Sequence, residues 1–159
     1  VPEIDDEHVA HVVQAYKSAF FARRQEGRIH EPLYEGVGEL LTRLHSAGWL
    51  LAVATGKSDR GLNTCLDAHG IDHLFVSLQT ADRHPSKPHP AMLEAALNEA
   101  RAAPVDAVMI GDTSFDMIMA SDAGVRALGV EWGYHDADEL RASGAEDVAR
   151  DAAHLEELL

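Results

Sequence analysis

From Leu50 onward the chain repeats one pattern, and no other feature restricts its fold as much. Short apolar runs alternate with longer stretches of helical spacing: apolar at 50–54, helical at 58–69, apolar at 74–77, helical at 90–102, apolar at 106–111, helical at 114–123, apolar at 125–130. Strands separated by helices cannot be hairpin neighbours, because the chain must cross back before the next strand begins. The result is a parallel sheet with helices on both faces, a three-layer α/β/α sandwich. In such a sheet the loops that follow the strands gather at one edge, where ligands bind.

Upstream, residues 5–26 read as a helix. Val9, Val12, Val13, Tyr16 and Phe20 recur at three-and-four spacing, Asp5 and Asp6 supply an amino-terminal cap, and Arg23, Arg24 and Gly27 close it. A loop over 28–36 breaks the pattern, and Val37, Leu40, Leu41 and Leu44 start a second helix that ends at Gly48. The boundary divides the chain into 1–33 and 34–159. The tail reads as a short edge strand at 145–150 followed by a helix over 152–159, with Leu155, Leu158 and Leu159 facing the sheet.

With 159 residues the chain is long enough to bury a proper core as one domain. Its formal charge of -14 argues against nucleic acid as a partner, since phosphate backbones are held by clustered lysine and arginine. It also means that a phosphorylated substrate must be drawn in by local cations or a metal. No apolar run is long enough for a membrane span, and Val1-Pro-Glu-Ile-Asp-Asp-Glu lacks the basic-then-apolar order of a secretion signal, so a cytoplasmic protein is expected. A single cysteine, Cys65, excludes an internal disulfide and reads as a small core residue between Leu62 and Leu66.

Three of the strands end in loops loaded with chemistry. After Val108-Met-Ile-Gly111 come Asp112 and Asp116, the first at a strand tip and the second in the opening turn of a helix that Ser114 can cap. Two carboxylates in one crevice suit a hard cation such as magnesium; the alternative is that Asp112 and Ser114 only cap the helix. After 50–54 comes Thr55-Gly-Lys-Ser58, with a hydroxyl, an unhindered amide at Gly56 and a helix amino terminus, all suited to a phosphate. It is not a Walker loop, and a plain strand-to-helix turn capped by Ser58 is the competing reading. In Ser86-Lys-Pro-His-Pro90, Lys87 is presented from a stiff loop just ahead of a helix, against the usual fate of a solvated lysine. The ten histidines, among them His8 and His11 on a helix and His84 and His89 around Lys87, have no zinc-like ligand spacing and read as solvated. Trp132 and Tyr134 read as packing residues.

Taken in order, these signals resemble the second, third and fourth motifs of the haloacid dehalogenase superfamily of phosphohydrolases. Leu51-Ala-Val-Ala-Thr-Gly-Lys57, Ser86-Lys-Pro-His-Pro90, Ile110-Gly-Asp-Thr113, Asp122-Ala-Gly124 and Trp132-Gly-Tyr134 are similar to the phosphoglycolate-phosphatase-like branch. The resemblance implies a Rossmann-like sheet, with the helix at 5–26 as part of a helical cap. It implies catalytic roles for Thr55, Lys87 and Asp112. Thr55 and the Gly56 amide would bond a phosphoryl oxygen, Lys87 would neutralise charge on the phosphoryl group, and Lys57 and Arg60 would lie near the phosphate. Asp112 would ligate magnesium, and Asp116 would join the metal site or orient Lys87. The substrate class would be a small phosphorylated metabolite.

The chain departs from the family at one point. No Asp-x-Asp-x-Thr occurs in it, and that motif supplies the family's nucleophile, its general acid and further metal contacts from a first strand lying between the strands of Thr55 and Asp112. A central first strand is therefore expected to be missing. The expectations that follow are a truncated form inactive on its own, weak magnesium binding, a sheet either closed up with those two strands paired directly or gapped with unpaired edges, and self-association as a homodimer. The alternative is a non-catalytic phosphate-binding or interaction module derived from the same fold. A phosphoacceptor receiver domain fails on order, because its acids precede its threonine and lysine, whereas here they come last.

Overall fold

The computed structural model describes residues 31–159 together with residues 11, 12, 14, 15 and 18. The chain divides into two compact units, Val1–Pro32 and Leu33–Leu159. The five isolated positions of the first unit are helical and exposed; the rest of the helix expected at 5–26 lies outside the described residues.

The second unit opens with α1 (Val37–Ser46), then β1 (Leu51–Thr55), α2 (Asp59–His69), β2 (Phe75–Thr80) and α3 (Ala91–Ala100). It continues with β3 (Val108–Gly111), α4 (Ser114–Asp122), β4 (Arg126–Val130), α5 (Ala137–Ala142), β5 (Asp147–Ala149) and α6 (Ala152–Leu158). Every strand pairing is parallel, as the alternation requires. β4 shows why the fold has three layers. Its Ala127 packs with Met92, Leu93 and Leu97 of α3, Met117 and Met119 of α4 and Leu140 of α5. Its Leu128 and Val130 pack with Leu40 and Leu44 of α1 and Ala152 and Leu155 of α6. Successive side chains of a strand point to opposite faces, so one strand feeds both apolar layers.

The sheet is interrupted. Among the described residues β1 pairs only with β2, and β3, β4 and β5 form a separate set in the order β3-β4-β5, so β1 and β3 each keep an edge that no described strand pairs. Both apolar clusters nevertheless reach across: Ala54 of β1 and Met109 of β3 touch one, Leu51 and Val108 the other. Burial follows the same division. β4 is buried over four of its five residues, whereas no residue of β1 is fully buried and Ile110 of β3 is 37% exposed. A strand in the middle of a doubly wound sheet is ordinarily covered on every side.

Several local expectations are corrected. β2 runs to Thr80 rather than ending at 77, because Ser77, Gln79 and Thr80 are buried polar residues that the apolar pattern did not mark. α5 was not expected; Asp136 caps it by accepting from the Glu139 amide at 2.9 Å, and Leu140 alone anchors it. One buried leucine in six residues leaves no helical periodicity to read. Tyr134 is not a packing residue: it is 88% exposed, while Trp132 is partly buried against the α1–α6 layer. Cys65 is only partly buried.

Candidate active site

The site is assembled at the carboxyl ends of β1, β2 and β3. Parallel pairing sets Thr55 level with Thr80, and the Ala81 amide donates to the Lys57 carbonyl at 3.3 Å, so the loops after β1 and β2 leave together. The β2 loop then carries Lys87 to the start of α4, where its Nζ donates to Asp116 Oδ1 at 2.5 Å. The Lys87–Pro88 peptide is cis. The structure thus brings the Thr55 and Asp112 strand tips to the same end.

Around Thr55 the loop is open. Its Oγ1 accepts from the Lys57 amide at 3.2 Å, Gly56 is exposed, and nothing lies within 4 Å of where a Gly56 Cβ would stand. Ser58 caps α2 by accepting from the Gly61 amide at 3.2 Å, so the amino terminus of α2 begins beside this loop. Lys57 is partly buried and Arg60 exposed.

The cap of α4 is Thr113, not Ser114 and not Asp112. Thr113 accepts from the Asp116 amide, while Asp116 Oδ2 accepts from the Thr113 amide at 3.1 Å and from its hydroxyl at 2.8 Å. This reciprocal capping box fixes the carboxylate. Asp116 is 2% exposed, its Oδ2 held by Thr113 and its Oδ1 by Lys87. The burial of the charge is matched by a cation and two donors. Of the two roles implied for Asp116, the geometry is that of a residue orienting Lys87.

Asp112 is held differently. Its Oδ2 accepts from the Tyr134 amide at 3.2 Å, its carbonyl accepts from the His135 amide at 3.1 Å, and no described residue hydrogen-bonds its Oδ1. The loop after β4 therefore closes over it. Two glycines make the packing possible. A Cβ on Gly133 would stand 2.1 Å from Asp112 Cβ, and one on Gly111 would stand 2.3 Å from Asp116 Cβ. Neither distance is one that carbon atoms can adopt. Gly111 and Gly133 belong to the site by space alone, and only their places in the Gly-Asp and Trp-Gly-Tyr motifs pointed to them.

Two histidines are also part of this end of the molecule rather than solvated. His135 Nδ1 lies 2.7 Å from Glu139 Oε1 and 3.2 Å from the Ser114 amide nitrogen, and its ring meets Phe115 edge-on. His84 is bonded through Nε2 to Gln79 Oε1 at 2.8 Å.

A profile described as haloacid dehalogenase-like hydrolase matches residues 3–130. The chain belongs to the haloacid dehalogenase-like hydrolase family. Among its relatives is a protein of Dickeya dadantii named "Probable phosphatase IndB", 37% identical over 144 residues, covering 88% of this chain and 61% of the relative. Another is a phosphoglycolate phosphatase of Vibrio vulnificus, 32% identical, covering 97% of this chain and 67% of the relative. Among solved structures, a predicted phosphoglycolate phosphatase from Haemophilus somnus superposes with a TM-score of 0.82 at 26% identity, covering 98% of this chain and 68% of the other. The chain thus spans about two thirds of the length of the family members it matches, 61% in the first of them.

The haloacid dehalogenase family implies magnesium. The described residues offer it one open oxygen on Asp112, with Asp116 already committed to Lys87 and Thr113. Among the described residues no group of three or more His, Cys, Asp or Glu is arranged to hold a metal. Magnesium takes six oxygens in near-octahedral array, several of them water. These donors alone do not fit the ion.

Proposed function

We propose that this chain is the greater part of a magnesium-dependent phosphatase of small phosphorylated metabolites, with phosphoglycolate-like monoesters as the substrate class. The observation that carries the reading is the Lys87–Asp116–Thr113 arrangement at the strand tips, at the end of the sheet where the open Thr55–Gly56 loop also lies. A lysine fixed by a buried carboxylate keeps its remaining ammonium protons for a ligand oxygen, and the Thr55 hydroxyl and Gly56 amide add neutral donors. A phosphoryl group fits such a set by charge and by the number of its acceptor oxygens.

The same reading makes the chain dependent on groups outside the described residues. Phosphoryl transfer through a covalent intermediate needs an oxygen nucleophile in line with the leaving group. The edges of β1 and β3 that no described strand pairs lie on the strands that lead to Thr55 and Asp112, so a further strand between them would deliver a carboxylate between those two tips. Magnesium would then be held by Asp112 together with ligands from that strand.

Phosphate release from a generic aryl phosphate, with and without magnesium, tests both parts. Loss of a nucleophile removes on the order of a millionfold in turnover, so the 159-residue chain alone is expected to show no turnover above background. A longer chain carrying an Asp-x-Asp-x-Thr strand is expected to show turnover that Asp112→Asn abolishes. Robust turnover by the 159-residue chain, abolished by Asp112→Asn, would overturn the dependence on a further strand. A longer chain that binds phosphate without hydrolysing any ester would favour the non-catalytic binding module instead.

A further inference from the structure

Beside the site runs a second polar system that none of the roles above uses. Ser77 and Gln79 lie on the same face of β2, two residues apart, and are 3% and 1% exposed. Gln79 Nε2 donates to Ser77 Oγ at 2.8 Å, and its Oε1 is bonded to His84 Nε2, also at 2.8 Å. From α3, the exposed Glu99 lies by Ser77 and Gln79, whose polar groups hold its carboxylate below the usual range, with Arg83 and His84 adding to the effect. Next to His84, Arg83 donates through Nε to Asp59 Oδ1 at 3.1 Å and through its other arm to the Leu78 carbonyl. Asp59 Oδ1 also accepts from Thr80 at 2.7 Å.

A buried amide between a strand and a helix is a costly choice where a leucine would pack, unless its hydrogen bonds do something that a leucine cannot. Here the Gln79 amide links two places, Ser77 behind it on β2 and His84 ahead of it in the loop. The amide's orientation is set by Ser77, so Oε1 must face His84, and His84 must present an N–H to it through Nε2. His84 is three residues before Lys87, in the loop whose other half is fixed by the start of α3. Nothing in the apolar clusters holds His84 or Lys87; both are only partly buried.

We propose that Gln79 and His84 are positioning residues for Lys87: the Ser77–Gln79–His84 relay pins the loop to β2 so that the Lys87 ammonium lands on Asp116 and faces the Thr55 loop. The inference rests on the reading of Lys87 as a phosphate ligand. Its mechanism is preorganisation. A flexible loop would have to be ordered each time an anion bound, and the relay orders it beforehand.

The test separates the relay from the fold and from the function. Gln79→Met keeps the volume and apolar packing but removes both side-chain bonds; His84→Leu removes the loop's half of the relay at a partly exposed position; His84→Gln retains an N–H donor. Two readouts are taken on the 159-residue chain. The first is the nitrogen resonance of the Lys87 ammonium, which is sharp only while hydrogen bonding to Asp116 slows its proton exchange. The second is the affinity for inorganic phosphate by calorimetry. In Gln79→Met and His84→Leu the Lys87 signal is expected to broaden beyond detection and phosphate affinity to fall about tenfold, the scale on which outer-shell partners act, with recovery in His84→Gln. An unchanged Lys87 signal in both variants would overturn the proposal, whichever way phosphate behaves. Failure of the unsubstituted chain to bind phosphate, with the Lys87 signal still lost in both variants, would instead overturn the phosphate role while leaving the positioning intact. If Gln79→Met does not fold, His84→Leu alone decides, since its side chain is outside the core.

Discussion

Lys87 Nζ and Asp116 Oδ1 stand 2.5 Å apart, although Lys87 comes from the loop after β2 and Asp116 from the first turn of α4 after β3, and these two strands belong to separate hydrogen-bonded sheets. This bond ties the β1–β2 pair to the β3–β4–β5 set at the end where the site lies. It is also a buried charge pair, with side-chain exposures of 21% and 3%, and removing one partner of such a pair strands the other.

Asp116→Ala is therefore expected to destabilise the chain by about 3 kcal/mol, the lower end for breaking a buried pair, because Lys87 can partly reach water. Loss of the capping box adds about 1 kcal/mol. Asp116→Asn keeps an acceptor for Thr113 and is expected to cost less than Asp116→Ala. Urea unfolding of the three proteins checks the order; equal midpoints for Asp116→Ala and the unsubstituted chain would refute the pair's role.

Gly133→Ala and Gly56→Ala make a matched comparison. The first inserts a methyl 2.1 Å from Asp112 Cβ, the second inserts one into open space, and neither glycine has the positive φ that would add backbone strain. Overpacking of this kind costs about 1–3 kcal/mol. Gly133→Ala is expected to lower the unfolding midpoint and displace Asp112, visible as a shift of its carboxyl carbon resonance, while Gly56→Ala leaves both where they were. Indistinguishable variants would mean that the loop after β4 shifts freely away from Asp112.

Acid should weaken the β2–α3 contact. The Glu99 carboxylate is held below its usual range by Ser77 and Gln79, with Arg83 and His84 reinforcing. A carboxyl group whose folded value is depressed contributes stability that is present above the unfolded value, about 4.3 for glutamate, and is lost as pH falls through the folded one. Stability measured from pH 6 downward is expected to decline below about pH 4, and Glu99→Gln is expected to flatten that part of the curve. Parallel curves for the two proteins would remove Glu99 as the cause.

How much of this was legible depended on whether one residue or a relationship carried the information. Thr55 and Asp112 could be placed because an apolar run fixes where a strand stops, and the next polar residue must be at its tip. The cap of α4 was misassigned to Ser114 because Thr113 and Ser114 are both good caps, and only the reciprocal bond from Asp116 decides between them. Gln79 and His84 were unreadable for a different reason. Their significance is a pairwise contact across a turn, and a glutamine in a strand or a histidine in a loop has no periodicity to reveal it. α5 was lost because a single buried leucine satisfies it. The interruption between β1 and β3 was legible only through the family resemblance, since each strand taken alone is an ordinary apolar run.

That interruption leads to the last expectation. Among the described residues β1 and β3 each leave a row of backbone donors and acceptors unpaired, and they are the least buried of the described strands, with Ile110 37% exposed and Ala52 also exposed. Natural proteins blunt such edges with charge, proline or a bulge, yet β1 reads Leu-Ala-Val-Ala-Thr and β3 reads Val-Met-Ile-Gly, with no charge in either. The net charge of -14 opposes association in general but does nothing at these two edges, which are neutral and lie beside apolar residues. The 159-residue chain is therefore expected to self-associate, with a dimer as the smallest abundant species at micromolar concentration by light scattering. Ile110→Lys places a charge on the free strand and is expected to shift the population toward monomer, whereas a lysine at exposed Val105, outside any strand, is expected to leave it unchanged. A monomeric unsubstituted chain, or equal effects of the two lysines, would show that the open edges do not drive association.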